Sequence, residues 1–385
     1  MKILLSLIIS IICLITFSGN RISAEEDNSA DLSVKFGIDE DFTEEVMGDE
    51  TDAARFLREN GITADSADGI TGLSPRTVFA YIWDKAKNSV TEPQGVLIAA
   101  LFVIIFSAAA GAFSDSVGEG ASGEVCRIIS VLGAVATVAP AAEKCIETAE
   151  TTLTSGGDFM LCYVPVFASI AAAAGNVTSA AAYNASIIVA AKAAVEIMSQ
   201  ILMPVLSVCM AMGIVDSITS TVNLSAVTEL LKKWSGILIG LIMTVFMGLL
   251  SVQSVVGAST DTIASKAAKF VVSNCIPIVG SAVADAYSTV RAGLGMLRGA
   301  AGAFGVIAFM LIILPPIIET GCMYFAMALS GALAELFGAK ELACFFRSAG
   351  AVFSIIIAVL ACFAVMFSVS TIILMSVGLT AAGAA

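Results

Sequence analysis

From residue 94 to residue 379 the chain is a succession of apolar runs, at about 94–113, 125–142, 159–175, 183–215, 235–257, 270–284, 302–334 and 349–379. Several are near the 20 residues that about 30 Å of hydrocarbon demands of a spanning helix. Backbone polar groups in lipid must be satisfied within the segment that carries them, and no barrel-like alternation is present, so the runs read as helices. The expected fold class is therefore all-α: a polytopic helical integral membrane protein with five to eight crossings. Composition agrees, with 58% hydrophobic and 13% charged residues, against about 25% charged in a soluble domain.

The first 24 residues have another character. Lys2, the apolar core from Ile3 to Phe17 and the small residues of Ile22-Ser23-Ala24 before Glu25-Glu26 form a signal-peptide pattern with cleavage expected between Ala24 and Glu25. An uncleaved anchor is the alternative. From Glu25 to Glu92 there are 17 Asp/Glu and 6 Lys/Arg, so most of the net charge of −13 resides there. Such a segment repels nucleic acid and anionic lipid; it reads as a small exported domain or a solvated spacer. Five regions result: leader 1–24, acidic extracytoplasmic segment 25–92, first membrane helices 93–150, and units 151–258 and 259–385.

The last two units are set off by prolines. Val164-Pro165-Val166-Phe167-Ala168-Ser169 resembles Ile276-Pro277-Ile278-Val279-Gly280-Ser281 at an offset of 112 residues, and the same offset carries Pro204 to Pro316. An internal three-segment repeat would pair Pro/Gly-broken or re-entrant helices, which transport folds place at their sites because freed backbone groups need protein, water or substrate. The stretch KFVVSNCIPIVGSAVADA, residues 269–286, is one such element; the bland reading is a helix kinked at Pro277 with Gly280 permitting close packing. A break is also expected at Pro315-Pro316 and a bend or break at Pro204.

Lys192 and Glu196 stand four apart on one helix face inside an apolar run, and Glu319 follows Pro316 by three residues. Intramembrane charges are costly against lipid and tend to face water or one another. The expectation is that the broken elements around Pro165 and Pro277 meet near mid-membrane and border a polar passage, with Lys269, Asn274, Lys192 and Glu196 as its lining. The competing reading is mutual neutralisation, or a Lys192 side chain reaching the interface. The leader places the amino terminus outside, whereas Lys85 and Lys87 before the first span argue the reverse; later orientation stays open.

Catalysis is not expected. Histidine is absent, there is no GxxxxGK[ST] loop and no CxxC pair, which removes the commonest general base, zinc sites of the HExxH type and phosphate-cradling loops. No cofactor, metal or nucleic acid is implied. The nine cysteines avoid the acidic segment, so it contains no disulfide.

Residues 246–310, FMGLLSVQSVVGASTDTIASKAAKFVVSNCIPIVGSAVADAYSTVRAGLGMLRGAAGAFGVIAFM, together with YVPVFASIAAAAG and LMPVLS, resemble the stage III sporulation protein AE family across essentially the whole chain. Ser251-Val252-Gln253 and Lys269-Phe270 to Gly280 carry the most specific likeness; Ser273 and Cys275 depart from the family pattern. The resemblance implies a multi-pass subunit in the mother-cell membrane facing the forespore, within a channel or secretion-like complex. Its implied partners are a cytoplasmic ATPase, ring-forming subunits, a forespore membrane partner and membrane lipid. An ion-coupled transporter of a small solute, or a purely structural anchor, are the alternatives.

Overall fold

The computed structural model describes residues 91–117, 121–218, 225–275 and 280–377, with scattered positions between 55 and 87. The leader with Ala24 and Glu25, most of the acidic segment, and Pro277 lie outside the described residues. Regular structure among those described is helical: α1 (Thr91–Val117), α2 (Ala121–Ala173), α3 (Val177–Ile197), a π-helical turn (Met198–Leu202), α4 (Met203–Ile218), α5 (Ser225–Cys275), α6 (Gly280–Leu336) and α7 (Lys340–Val377). Among the described residues six stretches are long and apolar enough to cross a membrane, α3 and α4 counting together as one.

The prolines act differently from expectation. The runs at 125–142 and 159–175 are the two ends of one helix, because α2 passes through both Pro140 and Pro165. The break expected at Pro315-Pro316 is likewise replaced by continuous helix within α6. A proline removes one backbone donor and crowds the preceding turn, but packed neighbours can re-satisfy the carbonyl it frees. Pro204 does mark an irregularity. The Met203 N–H donates to the Met198 carbonyl five residues back, so the ladder is already shifted to π spacing where Pro204 could not have donated.

Side-chain contacts fix the register of an antiparallel bundle. Lys144 of α2 donates to Glu92 of α1 at 2.5 Å, while a Cβ on Gly133 would touch Val103 at 3.6 Å, so α1 lies along the first half of α2 only. The chain reverses at Gly175, whose φ of 91° suits glycine, and α3 returns along α2 with Val195 beside Gly157. From α6, Phe309 approaches Gly156 and the Ala301 carbonyl accepts from the Tyr163 hydroxyl at 2.9 Å. A second reversal at Gly338, φ 78°, sends α7 back along α6, with Phe309 and Phe363 5.4 Å apart and Arg298 donating to the Met375 carbonyl at 3.0 Å.

Helix α5 closes the bundle. The Asp261 carboxylate accepts from the N–H groups of Thr178 and Ser179, both at 2.8 Å, and so caps the start of α3, where Asn176 provides no side-chain cap. Met243 lies 3.8 Å from Cys362 of α7, sulfur to sulfur. In sequence, the shift of 112 residues carries α3 and α4 into α6 and much of α5 onto α7; within each pair both members run the same way along the bundle. With 53 residues, α2 is about 80 Å long, far more than about 30 Å of hydrocarbon, so part of it stands outside the apolar slab.

Candidate functional site

The middle of α2, residues 143–158, reads EKCIETAETTLTSGGD between apolar ends. Its helical periodicity sorts these residues into two faces. Cys145, Ile146, Ala149, Thr152, Leu153 and Gly156 are buried, and Glu143, Lys144, Glu147, Glu150, Thr154 and Asp158 are exposed. The hydroxyls of Thr151 and Thr154 donate to the carbonyls of Glu147 and Glu150, four residues back, which quiets their own polarity and leaves the carboxylates outward.

A second polar row runs beside it. Lys192, Glu196 and Gln200 follow one another at helical spacing along α3 and the π turn, all exposed. Gln200 donates to Glu196 at 2.8 Å. Ser199 donates to Glu150 of α2 at 3.0 Å, joining the two rows into one stripe. At its lower end Lys144 pairs with Glu92, and Glu319 of α6, half-buried, lies within electrostatic reach of both.

The expected site residues are thus partly assembled. Lys192 and Glu196 belong to the stripe, but Glu319 is turned toward Lys144 and not toward them. Pro204, exposed, opens α4 just past the π turn, and Pro316 is half-buried within α6. Pro165 is exposed on uninterrupted α2, so the first of the two broken elements is a continuous helix here. Lys269 and Asn274 fall in the last turns of α5, past the Asp261 cap, and Gly280 opens α6. The α2 row is not among the expected residues, since 143–158 lies between two apolar runs; its signal is acid at positions 143, 147, 150 and 158, one side of a helix.

The bundle interior at this height is closed. Phe159 packs on Tyr163, Phe309 and Phe367 with ring centroids 5.4, 5.7 and 5.7 Å apart, and Phe309 lies 4.1 Å from Phe367. Glycines make room for the rings: a Cβ on Gly156 would stand 2.7 Å from Phe363. Such a dry aromatic core stabilises the fold through buried area and ring contacts. It offers no polar route along the axis.

Outside, the stripe is an island. On α2 it is bounded by exposed Leu132 below and exposed Leu161 above, and α5, which packs against α3 and α7, presents Trp234, Ile237, Leu241 and Val245 outward. Against hydrocarbon at mid-depth each ionised stripe residue would cost about 2.5–3.5 kcal/mol. Among the described residues no cluster of His, Cys, Asp and Glu suited to a metal ion occurs.

The family described as "Stage III sporulation protein AE" matches residues 59–378 of this chain. Stage III sporulation protein AE of Bacillus subtilis (strain 168) is 24% identical over 284 residues, covering 73% of this chain and 70% of that protein. No solved structure matches.

Proposed function

The chain belongs to the stage III sporulation protein AE family, and on that premise we propose that this helical membrane protein is the membrane-embedded subunit of the mother cell-to-forespore channel complex. It serves endospore development, is required for it, and has no catalytic role of its own. It sits in the mother-cell membrane facing the forespore, amino-terminal segment outside, and works with a cytoplasmic ATPase, ring-forming subunits and a forespore membrane partner. Units 151–258 and 259–385 are a parallel duplication, a reading supported by the common direction of α3–α4 with α6 and of α5 with α7.

The observation that carries the channel reading is the exposed polar stripe of Glu147, Glu150, Lys192 and Glu196, set between exposed Leu132 and Leu161 of α2 and level with the exposed apolar residues of α5. Because aromatic rings fill the interior, the passage runs along the outside of each chain, between it and its neighbours, and not through one bundle. It differs from a passage bordered by the Pro165 and Pro277 elements, of which Pro277 lies outside the described residues. The test is a strain carrying Lys192→Ala, Glu196→Ala and Glu147→Ala together. Spore yield drops steeply with the protein present at its normal level and in the membrane. Undiminished yield contradicts the passage and favours the anchor, in which these side chains are incidental.

A further inference from the structure

We propose that the α2–α3 stripe fronts water at the same depth at which α5 fronts lipid, so that the bundle has a wet side and a lipid side. The proposal rests on the reading of the stripe as a passage wall, to which it assigns a depth and a direction.

Two contacts set the heights. A Cβ on Gly156 of α2 would meet Phe363 of α7, and the adjoining Cys362 touches Met243 of α5. Gly156 and Met243 therefore stand at about one level, both against α7. Around Gly156 the exposed residues are Thr154, Ser155 and Asp158, with Glu196 of the neighbouring α3 close by beside Val195, which packs on Gly157. Around Met243 they are Leu241 and Val245, 57% and 62% exposed, and Thr244, whose hydroxyl donates to the Gly240 carbonyl of its own helix; farther along are Trp234 and Val252, 63% and 65%.

No single solvent suits both sides. A row from Trp234 to Val252 is about 27 Å long at helical rise, close to the hydrocarbon thickness, and a row of that size left in water would be a large apolar patch. At its midpoint the other side carries ionisable groups, which at membrane depth face water or protein and not acyl chains. Mutual neutralisation does not remove the demand: Glu143, Glu147, Glu150, Asp158 and Glu196 outnumber Lys144 and Lys192 along the stripe. On its own helix the stripe is flanked by exposed Leu132 and Leu161.

Four single-cysteine additions test this, all at exposed positions of matched height: Thr154→Cys and Asp158→Cys on the stripe, Leu241→Cys and Val245→Cys on α5. Each full-length protein, in lipid nanodiscs, is treated with a water-soluble maleimide, and each site's labelling rate is read by peptide mass spectrometry, which separates it from the native thiols. Thiolate formation requires water, so the stripe positions label about tenfold faster or more than the α5 positions. Equal rates on the two sides overturn the proposal, as does a stripe as unreactive as α5. An acyl-chain photoprobe gives an independent reading: it marks Leu241 and Val245 in the unaltered protein, and marking of Thr154 or Asp158 to the same extent also overturns it. Failure here is distinct from failure of the passage. A wet stripe with normal sporulation after charge removal ends the passage alone; a dry stripe with lost sporulation ends this inference alone.

Discussion

At the scale of single residues, glycines decide how closely the aromatic core can pack. Gly305 lies where any Cβ would run into the ring of Tyr163, whereas Gly240 on α5 has open space. Gly305→Ala forces the ring or the helix to shift and lowers stability by about 1–3 kcal/mol. Gly240→Ala is neutral or stabilises by up to about 1 kcal/mol through helix propensity. Thermal unfolding in detergent compares the two; equal effects would mean that the Tyr163 contact is not as close as described. Tyr163→Phe removes the hydroxyl's bond to the Ala301 carbonyl, and since that group is already a helix acceptor, the loss is about 0.5–1.5 kcal/mol in the same measurement.

At the scale of elements, α3 depends on a residue far away in sequence. Asp261 supplies both acceptors for the first N–H groups of α3, where helices leave such donors without internal partners. A carboxylate there also complements the positive end of the helix. Asp261→Ala costs about 0.5–2 kcal/mol, and hydrogen exchange speeds up at Thr178 and Ser179 before it does at mid-α3. Asp261→Asn, retaining one acceptor, falls between. Unchanged exchange in the Asp261→Ala protein would show that water caps α3 as well as the side chain does.

The elements also mark what the sequence allowed one to read. Helical membrane class followed from run length alone, since lipid leaves the backbone few choices. Proline effects did not follow. Pro140, Pro165, Pro315 and Pro316 lie inside continuous helices, while Pro204 coincides with a π turn. Local sequence does not tell these cases apart, because each proline sits in a similar apolar run. Lys192 and Glu196 were visible as charges in an apolar run. Their partner row on α2 was visible only as a polar gap, and became a face once 125–173 proved to be one helix.

At the scale of the whole molecule, the bundle is uneven around its axis: an ion-rich stripe on α2 and α3, an apolar row on α5 and closed aromatic packing inside. A chain of this kind conducts only in company, along its surface. Glu319→Gln, which keeps shape and removes charge, is expected to weaken sporulation less than the combined loss of Lys192, Glu196 and Glu147, since Glu319 is half-buried at the stripe's end. Spore counts from the two strains rank them, and the reverse order would move the wall of the passage toward α6. The most direct measurement is a cryo-electron microscopy map of the protein in a lipid nanodisc. The account predicts that at the height of Met243 and Gly156 acyl-chain density lies against Leu241 and Val245 and is missing beside Thr154, Asp158 and Glu196. Acyl density wrapping both sides, or a disc that leaves this height entirely in solvent, would contradict it.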